Sequence, residues 1–383
     1  MKLLFAPDSF KGTFSSAEII QTLRRAAYRH LGRRIEIVEV PIADGGEGTV
    51  DALVTAAQGE YRTLTVSGPL GTPVTAKYGI LHGDTAVIET AQASGLPLVP
   101  LDRRNPLYTS SYGTGELVRA ALRQGIRKIV VGLGGSATND GGMGMLRALG
   151  ARFIDAQGND LSGCGADLGR VHTIDLHGVM PEAAAADITC MCDVSNPLLG
   201  PAGATHIYGP QKGAVGTIIT QLESGMAHFA ECFRAQLGRD ICSAPGCGAA
   251  GGLGGAFHGV LHAKLQPGID AVLETVQFDR LLEGVSLVVT GEGQIDGQSV
   301  RYGKVPTGVL RRCQTQGVPV AILAGGMGLE AEAIFAVGEA SILTAVNAAM
   351  SLTEALQNAP ALLESAADRL FRFIKIGMSM ATK

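Results

Sequence analysis

The stretch Ile129-Val130-Val131-Gly132-Leu133-Gly134-Gly135-Ser136-Ala137-Thr138-Asn139-Asp140-Gly141-Gly142 runs from an apolar segment into a loop where four glycines surround two hydroxyls, an amide and a carboxylate. The apolar segment predicts a strand, and Met143 to Leu149 turns apolar again. The loop therefore sits at the carboxyl end of a strand, the edge where open α/β sheets hold ligands. Glycine admits positive φ and lets backbone amides approach an anion. A Gly-rich turn with no ligand is the plainer alternative, but a mere connection seldom crowds so many polar side chains together. We read it as a phosphate or substrate loop.

The same grammar recurs outward from that loop. Leu3-Leu4-Phe5-Ala6 reads as a short strand and is followed by Pro7-Asp8-Ser9-Phe10-Lys11-Gly12. Ser15 with Glu18 makes a capping-box pattern, Ile19, Leu23, Ala26 and Ala27 keep helical spacing, and Gly32 lies beyond the C-terminus. Ile35 to Val40 is a second strand, ending in Ala43-Asp44-Gly45-Gly46-Glu47-Gly48-Thr49, and the short helical connection implies parallel pairing. Alternation returns at Val285 to Val289, Val318 to Leu323 and Ser341 to Leu343. A last helix is expected from the Ser351/Glu354 cap through Leu356, Leu363, Leu370 and Ile374 to Gly377. In between, Tyr61 to Val66, Val74 to Ile80 and Ala86 to Glu89 read as consecutive strands without helices. The expected architecture is α/β with two lobes. Residues 1–65 plus 265–383 form a parallel-sheet domain, 66–264 an inserted mixed α/β domain, and a cleft between lobes takes ligands.

Composition narrows the partners. The 383 residues carry 31 basic and 35 acidic side chains, a net charge of −4, so there is no electrostatic footprint for nucleic acid or an anionic membrane. Apolar content is 46%, yet no apolar run reaches the ~18 residues of a membrane span. Leu3 to Ala6 is too short for the roughly 7 to 15 residue core of a signal peptide, which makes the cytoplasm the expected location. Seven cysteines without CxxC spacing, among them Cys190-x-Cys192 and Cys242-x4-Cys247, read as reduced thiols. His258 and His262 have metal-like spacing, but Gly259-Val260-Leu261 between them lacks a metalloprotease glutamate, so the pair reads as structural. Glycine, 53 of 383, is about twice the usual roughly 7% and clusters where apolar runs end, as short βα loops require.

Three further segments extend the set: Tyr112-Gly113-Thr114-Gly115-Glu116, Cys192-Asp193-Val194-Ser195-Asn196-Pro197-Leu198, and Thr290 to Ser299 with Glu292 and Asp296. Phosphoryl transfer needs amides or cations for phosphate oxygens, carboxylates for Mg²⁺ and a base for the attacking hydroxyl, and these segments supply all three. An ordinary P-loop is excluded, because Gly303-Lys304 is followed by Val305, and the protein-kinase motifs are absent. A rival stands in Gly132-Leu133-Gly134-Gly135-Ser136-Ala137, which fits the dinucleotide pattern with Asp155 at the expected distance and would suit an NAD-dependent oxidoreductase of a small hydroxy acid. Against it, Thr138 to Gly142 stays in loop where the fingerprint needs a helix start. A non-catalytic two-lobed ligand sensor ranks third.

Taken in order, Pro7–Gly12, Ala43–Thr49, Gly134–Gly142, Cys192–Leu198, Gln211-Lys212-Gly213-Ala214 and Thr290-Gly291-Glu292-Gly293 closely resemble the type-1 glycerate kinases of bacteria, from about Asp8 to the final helix. The resemblance implies a flavodoxin-like lobe interrupted by a second α/β lobe. It also implies ATP-dependent phosphorylation of D-glycerate at the 2-hydroxyl, in catabolism of glyoxylate or sugar diacids. Asp193 is then the candidate to orient and deprotonate the hydroxyl, an Asx-turn before Asn196-Pro197 being its plainer role. Lys11, Arg301 and Lys304 are candidates to clamp carboxylate or phosphate. Asp44, Glu47, Glu292 and Asp296 are candidates for Mg²⁺, or for helix caps. Asp8, Ser9, Gly45, Gly46, Gly134, Gly135, Ser136, Thr138, Asn139, Asp140 and Asn196 complete the expected substrate and nucleotide contacts. Gly251-Gly252-Leu253-Gly254-Gly255 allows either close packing or a tight turn. Assembly into a homo-oligomer stays open.

Overall fold

A computed structural model describes residues 1–43, 48–301 and 303–381. Among them the strands are β1 (Lys2–Pro7), β2 (Glu36–Glu39), β3 (Glu60–Ser67), β4 (Pro73–Leu81), β5 (Thr85–Glu89), β6 (Lys128–Gly132), β7 (Arg152–Ile154), β8 (Thr173–Asp175), β9 (Asp187–Met191), β10 (Lys264–Gln266), β11 (Leu287–Ile295), β12 (Val320–Met327) and β13 (Ala340–Thr344). The chain forms two compact units, Met1–Asp44 with Val272–Lys383, and Gly45–Ala271. The units change over there rather than near 65 and 265, because β3 and β10 pair into the sheet of the second unit.

The first unit holds five parallel strands in the order β13-β12-β11-β1-β2. Counted within the unit this is the doubly wound order 2-1-3-4-5, whose ligand-binding switch point lies between its first and third strands, here β1 and β11. The helix Ser16–Leu31 begins in the expected capping box: Ser15 Oγ accepts from the Glu18 amide at 3.3 Å, and Glu18 Oε2 accepts from the Ser15 amide at 2.8 Å. Gly32 ends it with φ 79°. Its Ile19, Leu23, Ala26 and Ala27 are buried in one cluster with Phe5 and Phe371, whose ring centroids are 6.0 Å apart.

The expected single C-terminal helix is two helices. Ser351 caps only Leu352–Gln357, and Ala359–Ala381 starts afresh. Pro360 is the cause: a proline ring fits the first turn of a helix but clashes with the carbonyl one turn earlier. Gly377 does not end the second helix, since an interior glycine costs about 1 kcal/mol without breaking the hydrogen-bond ladder. Leu363, Leu370 and Ile374 pack against the core as expected, whereas Leu356 is 51% exposed.

The second unit is a six-stranded mixed sheet in the order β10-β9-β6-β5-β4-β3. The consecutive strands β3, β4 and β5 pair antiparallel, and β5, β6, β9 and β10 pair parallel. A separate antiparallel pair joins β7 to β8. An aromatic triangle anchors the core: Phe153 lies 5.6 Å from Phe229 and 6.4 Å from Phe233, and the latter two sit edge to face at 5.0 Å. Among the described residues no helix is long and apolar enough to cross a membrane. Phe229→Ala empties the centre of that triangle, and urea unfolding of the variant should show a loss of about 3–5 kcal/mol. An unchanged midpoint would mean that the triangle is not the core.

Candidate active site

The loop after β6 is held from beneath by its own carboxylate. Asp140 is fully buried and its oxygens accept from the Ser111 amide at 2.7 Å, Ser111 Oγ at 2.7 Å, the Gly142 amide at 3.1 Å and the Gly144 amide at 3.2 Å. Burial pushes this carboxyl above its ordinary range, and the four donated bonds oppose that. Gly251 braces the loop from the other side: its carbonyl accepts the Gly141 amide at 3.0 Å, and a Cβ on Gly251 would lie 2.0 Å from the Thr138 carbonyl oxygen. Ala250, Gly251 and Gly252 all have left-handed backbone, φ 52°, 68° and 92°. The two readings of this glycine segment, tight turn and close approach, are thus both realised.

Above these supports lies a cavity of about 370 Å³ at the carboxyl ends of β6 and β9, lined by Gly134, Gly135, Ser136, Asp193, Tyr208 and Lys212 among others. Four of the expected site residues are therefore together. Asp193 is exposed to the cavity, and its Oδ1 accepts the Gly268 amide at 2.7 Å. That bond fixes the carboxylate against the segment after β10. Lys212 is 3% exposed, and its ammonium donates to Ser136 Oγ at 2.9 Å and to the Thr138 carbonyl at 2.7 Å. Burial lowers its pKa from the ordinary 10.5 to about 7, with the charge of Asp140 working the other way.

Three expected contacts lie under the loop instead of on the cavity wall. The Thr138, Asn139 and Asp140 side chains are wholly buried, and Asn139 Nδ2 donates to Thr205 Oγ1 at 3.0 Å. Asn196 orders its own loop, with Nδ2 on the Ala202 carbonyl at 2.8 Å and Oδ1 accepting from the Tyr208 hydroxyl at 2.6 Å. The two histidines are local: His258 Nδ1 pairs with the Ala263 carbonyl at 3.0 Å, and His262 closes the helix with φ 57°.

The first unit has its own cavity, of about 430 Å³, at the switch point between β1 and β11. Asp8, Ser9 and Lys11 reach it from β1, Glu292 from β11, and Lys304 from the start of the helix Val305–Thr315. Pro7 pairs with Gly291, so Asp8 and Glu292 follow side by side, 6% exposed each. Its other wall is apolar, with Phe14, Val346, Leu352 and Leu356. Arg301 and Asp296 do not line this cavity. Arg301 is paired with Glu330 at 3.5 Å on the surface, and Asp296 Oδ1 accepts the Gln298 and Ser299 amides at 2.9 and 3.0 Å, the helix-cap role. Asp44, Gly45, Gly46 and Glu47 lie outside the described residues. Among the described residues no three His, Cys, Asp or Glu side chains form a metal-holding group.

The dinucleotide alternative fails on geometry. The chain stays in loop until the helix Met143–Ala148, and among the described residues β7, which carries Asp155 at its end, pairs as a strand with β8 and not with the sheet of β6. Asp155 is occupied by the Gln157 and Asn159 amides at 3.0 and 2.9 Å, so it closes a turn and is not placed to meet a ribose.

Residues 3–375 match the model of the glycerate kinase family. The chain belongs to the glycerate kinase family. It is 45% identical to a glycerate kinase of Halalkalibacterium halodurans over 95% of this chain and 96% of that one, and 41% identical to the glycerate 2-kinase of Escherichia coli over the full length of both. A crystal structure from Salmonella typhimurium LT2, assigned as a glycerate kinase 2, superposes with a TM-score of 0.88 at 39% identity, covering 99% of each chain. In this kinase the sequence patterns pick out some lining residues of each cavity, where a single cleft between lobes was expected, and overlook Lys212 and Tyr208 as cavity residues. Lysine is ordinarily exposed, and nothing local marks Lys212 as buried; only its place in the Gln211–Ala214 motif draws attention to it.

A lysine with a lowered pKa leaves a signature in stability. Between about pH 7 and 10.5 the unfolded chain binds a proton at Lys212 that the folded chain does not, so this residue makes stability rise with pH across that window. Urea unfolding at pH 7, 8 and 9 should show wild type gaining on Lys212→Met by up to about 1.4 kcal/mol per pH unit. Parallel curves would contradict a buried Lys212 with a lowered pKa.

Proposed function

We propose that the enzyme transfers the γ-phosphoryl group of ATP to the 2-hydroxyl of D-glycerate, giving 2-phosphoglycerate and ADP, in catabolism of glyoxylate or sugar diacids. The reading rests on one observation above the others: in a chain of the glycerate kinase family, Asp193 shares a cavity with the Gly134–Ser136 loop and Lys212. Choice of the 2-hydroxyl draws on the name of the Escherichia coli relative, a glycerate 2-kinase.

The chemistry assigns roles to side chains. Asp193 accepts the proton of the substrate hydroxyl as its oxygen bonds to phosphorus and the bond to the leaving β-phosphate oxygen breaks. Glycine amides and the Ser136 hydroxyl in the loop orient oxyanions, with positions fixed in advance by Asp140 beneath them. In the first unit, Lys11 and Lys304 offset phosphate charge, and the apolar wall around Leu352 and Leu356 suits a flat base. Asp8 and Glu292, adjacent and buried, fit the one or two carboxylates by which Mg²⁺ is held alongside substrate phosphates. When bound, that ion supplies charge neutralisation on the phosphates.

With Mg-ATP and D-glycerate the purified enzyme should release ADP, and the phosphorus spectrum of the product should be a doublet, one proton on the ester carbon. A triplet would assign the 3-hydroxyl, and no ADP would overturn the reading. Asp193→Asn should lower kcat by about 10²–10⁴ with a smaller change in KM. A variant with normal kcat would remove Asp193 from the chemistry.

A further inference from the structure

Among the described residues Lys212 is unlike the other lysines and arginines. It is almost wholly buried, yet it lines the second unit's cavity beside Ser136 and Asp193. Its two hydrogen-bond partners are neutral, a hydroxyl and a carbonyl, and among the described residues no carboxylate lies within ion-pairing distance. An ammonium without a counterion in a desolvated place costs several kcal/mol. The cost falls when a negative group enters the cavity. Lysine also has three donors in its charged form, and the loop takes two.

We propose that Lys212 is the oxyanion-binding residue of this cavity, and that it takes a proton from solvent as the ligand arrives, becoming a fully charged ammonium only in the complex. The inference rests on the phosphotransferase reading only for the identity of the ligand. A glycerate carboxylate and an ATP phosphate carry the same oxyanion chemistry, and experiment separates them.

Other titratable and charged groups surround Lys212. Asp140 lies behind it, fully buried and held by four donors, and Asp193 faces the cavity with Oδ1 bonded to Gly268. Tyr208 and Cys192, on the same cavity, are both raised by burial and stay neutral around pH 8. Arg104, beside Gly213, donates its Nε to the Val99 carbonyl at 3.5 Å. The Lys212 pKa of about 7 agrees with a side chain that is largely a neutral amine at pH 8 before the ligand binds.

Below pH 7 the lysine is charged already and affinity is flat. Above it, binding must recruit a proton, and affinity for the oxyanion falls about tenfold per pH unit. At pH 8, calorimetry of wild-type enzyme in buffers of different ionisation enthalpy should show uptake of close to one proton per ligand bound. The two arms are D-glycerate alone and a non-hydrolysable Mg-ATP analogue alone, and the arm with uptake names the source of the oxyanion. Lys212→Met should weaken that ligand at least about tenfold and abolish uptake. Lys212→Arg should bind without uptake, because a guanidinium never loses its charge. No uptake in either arm of the wild type, or uptake that persists in Lys212→Met, overturns the proposal. ADP release is assayed on the same wild-type preparation. Phosphorylation without proton uptake removes the role of Lys212 and leaves the kinase reading standing, whereas proton uptake without phosphorylation does the reverse.

Discussion

One buried carboxylate organises the second unit. Asp140 collects a loop, a helix start and a distant segment into one hydrogen-bond knot, because its oxygens bond Ser111 as well as Gly142 and Gly144. A carboxylate placed so deep must have every oxygen satisfied. The loop is thus held by necessity of solvation as much as by packing. Glycine does the rest: Gly141 and Gly142 adopt φ 63° and 74°, and Gly251 presses within a Cβ's width of Thr138. The outcome is a rigid Gly134–Ser136 rim whose amides and hydroxyl are positioned before any ligand arrives, as electrostatic catalysis requires.

The first unit reaches a comparable end by topology. Parallel strands carry their functional groups at their carboxyl ends, and reversal of strand order between β1 and β11 opens a crevice there. Gly291 allows β11 and β12 to lie close, since a Cβ would fall 1.9 Å from the Leu323 carbonyl oxygen. Asp8 and Glu292 follow directly from that register. Each unit therefore presents acid and base groups at one edge of its own sheet.

Much of this was legible in the amino-acid order because it is local. Apolar runs ending in glycine and acid marked the strand ends, the Ser15/Glu18 box marked a helix start, and three runs without helices between them marked the antiparallel edge β3-β4-β5. What escaped was tertiary. Asp296 carried the composition of a metal ligand and serves as a helix cap; Arg301 carried that of a clamp and pairs with Glu330 on the surface. Thr138 and Asn139 belonged to the right loop but face inward, and no pattern shorter than the fold tells which side of a glycine turn is outside. Lys212 inverted the usual expectation for its residue type. The spacing of Leu356, Leu363, Leu370 and Ile374 suggests one helix, and Pro360 between them divides it into two.

If substrate meets this preorganised rim with Asp193 beside it, the rim's amides lose access to solvent on binding. Hydrogen exchange with and without D-glycerate tests it most directly. Amides of Gly134, Gly135 and Ser136 and of the segment around Asp193 should slow when substrate is added. Those of Ser111, Gly142 and Gly144, bonded to Asp140 in either state, should be slow already and stay so. Protection that spares 134–136 and appears elsewhere would contradict the account.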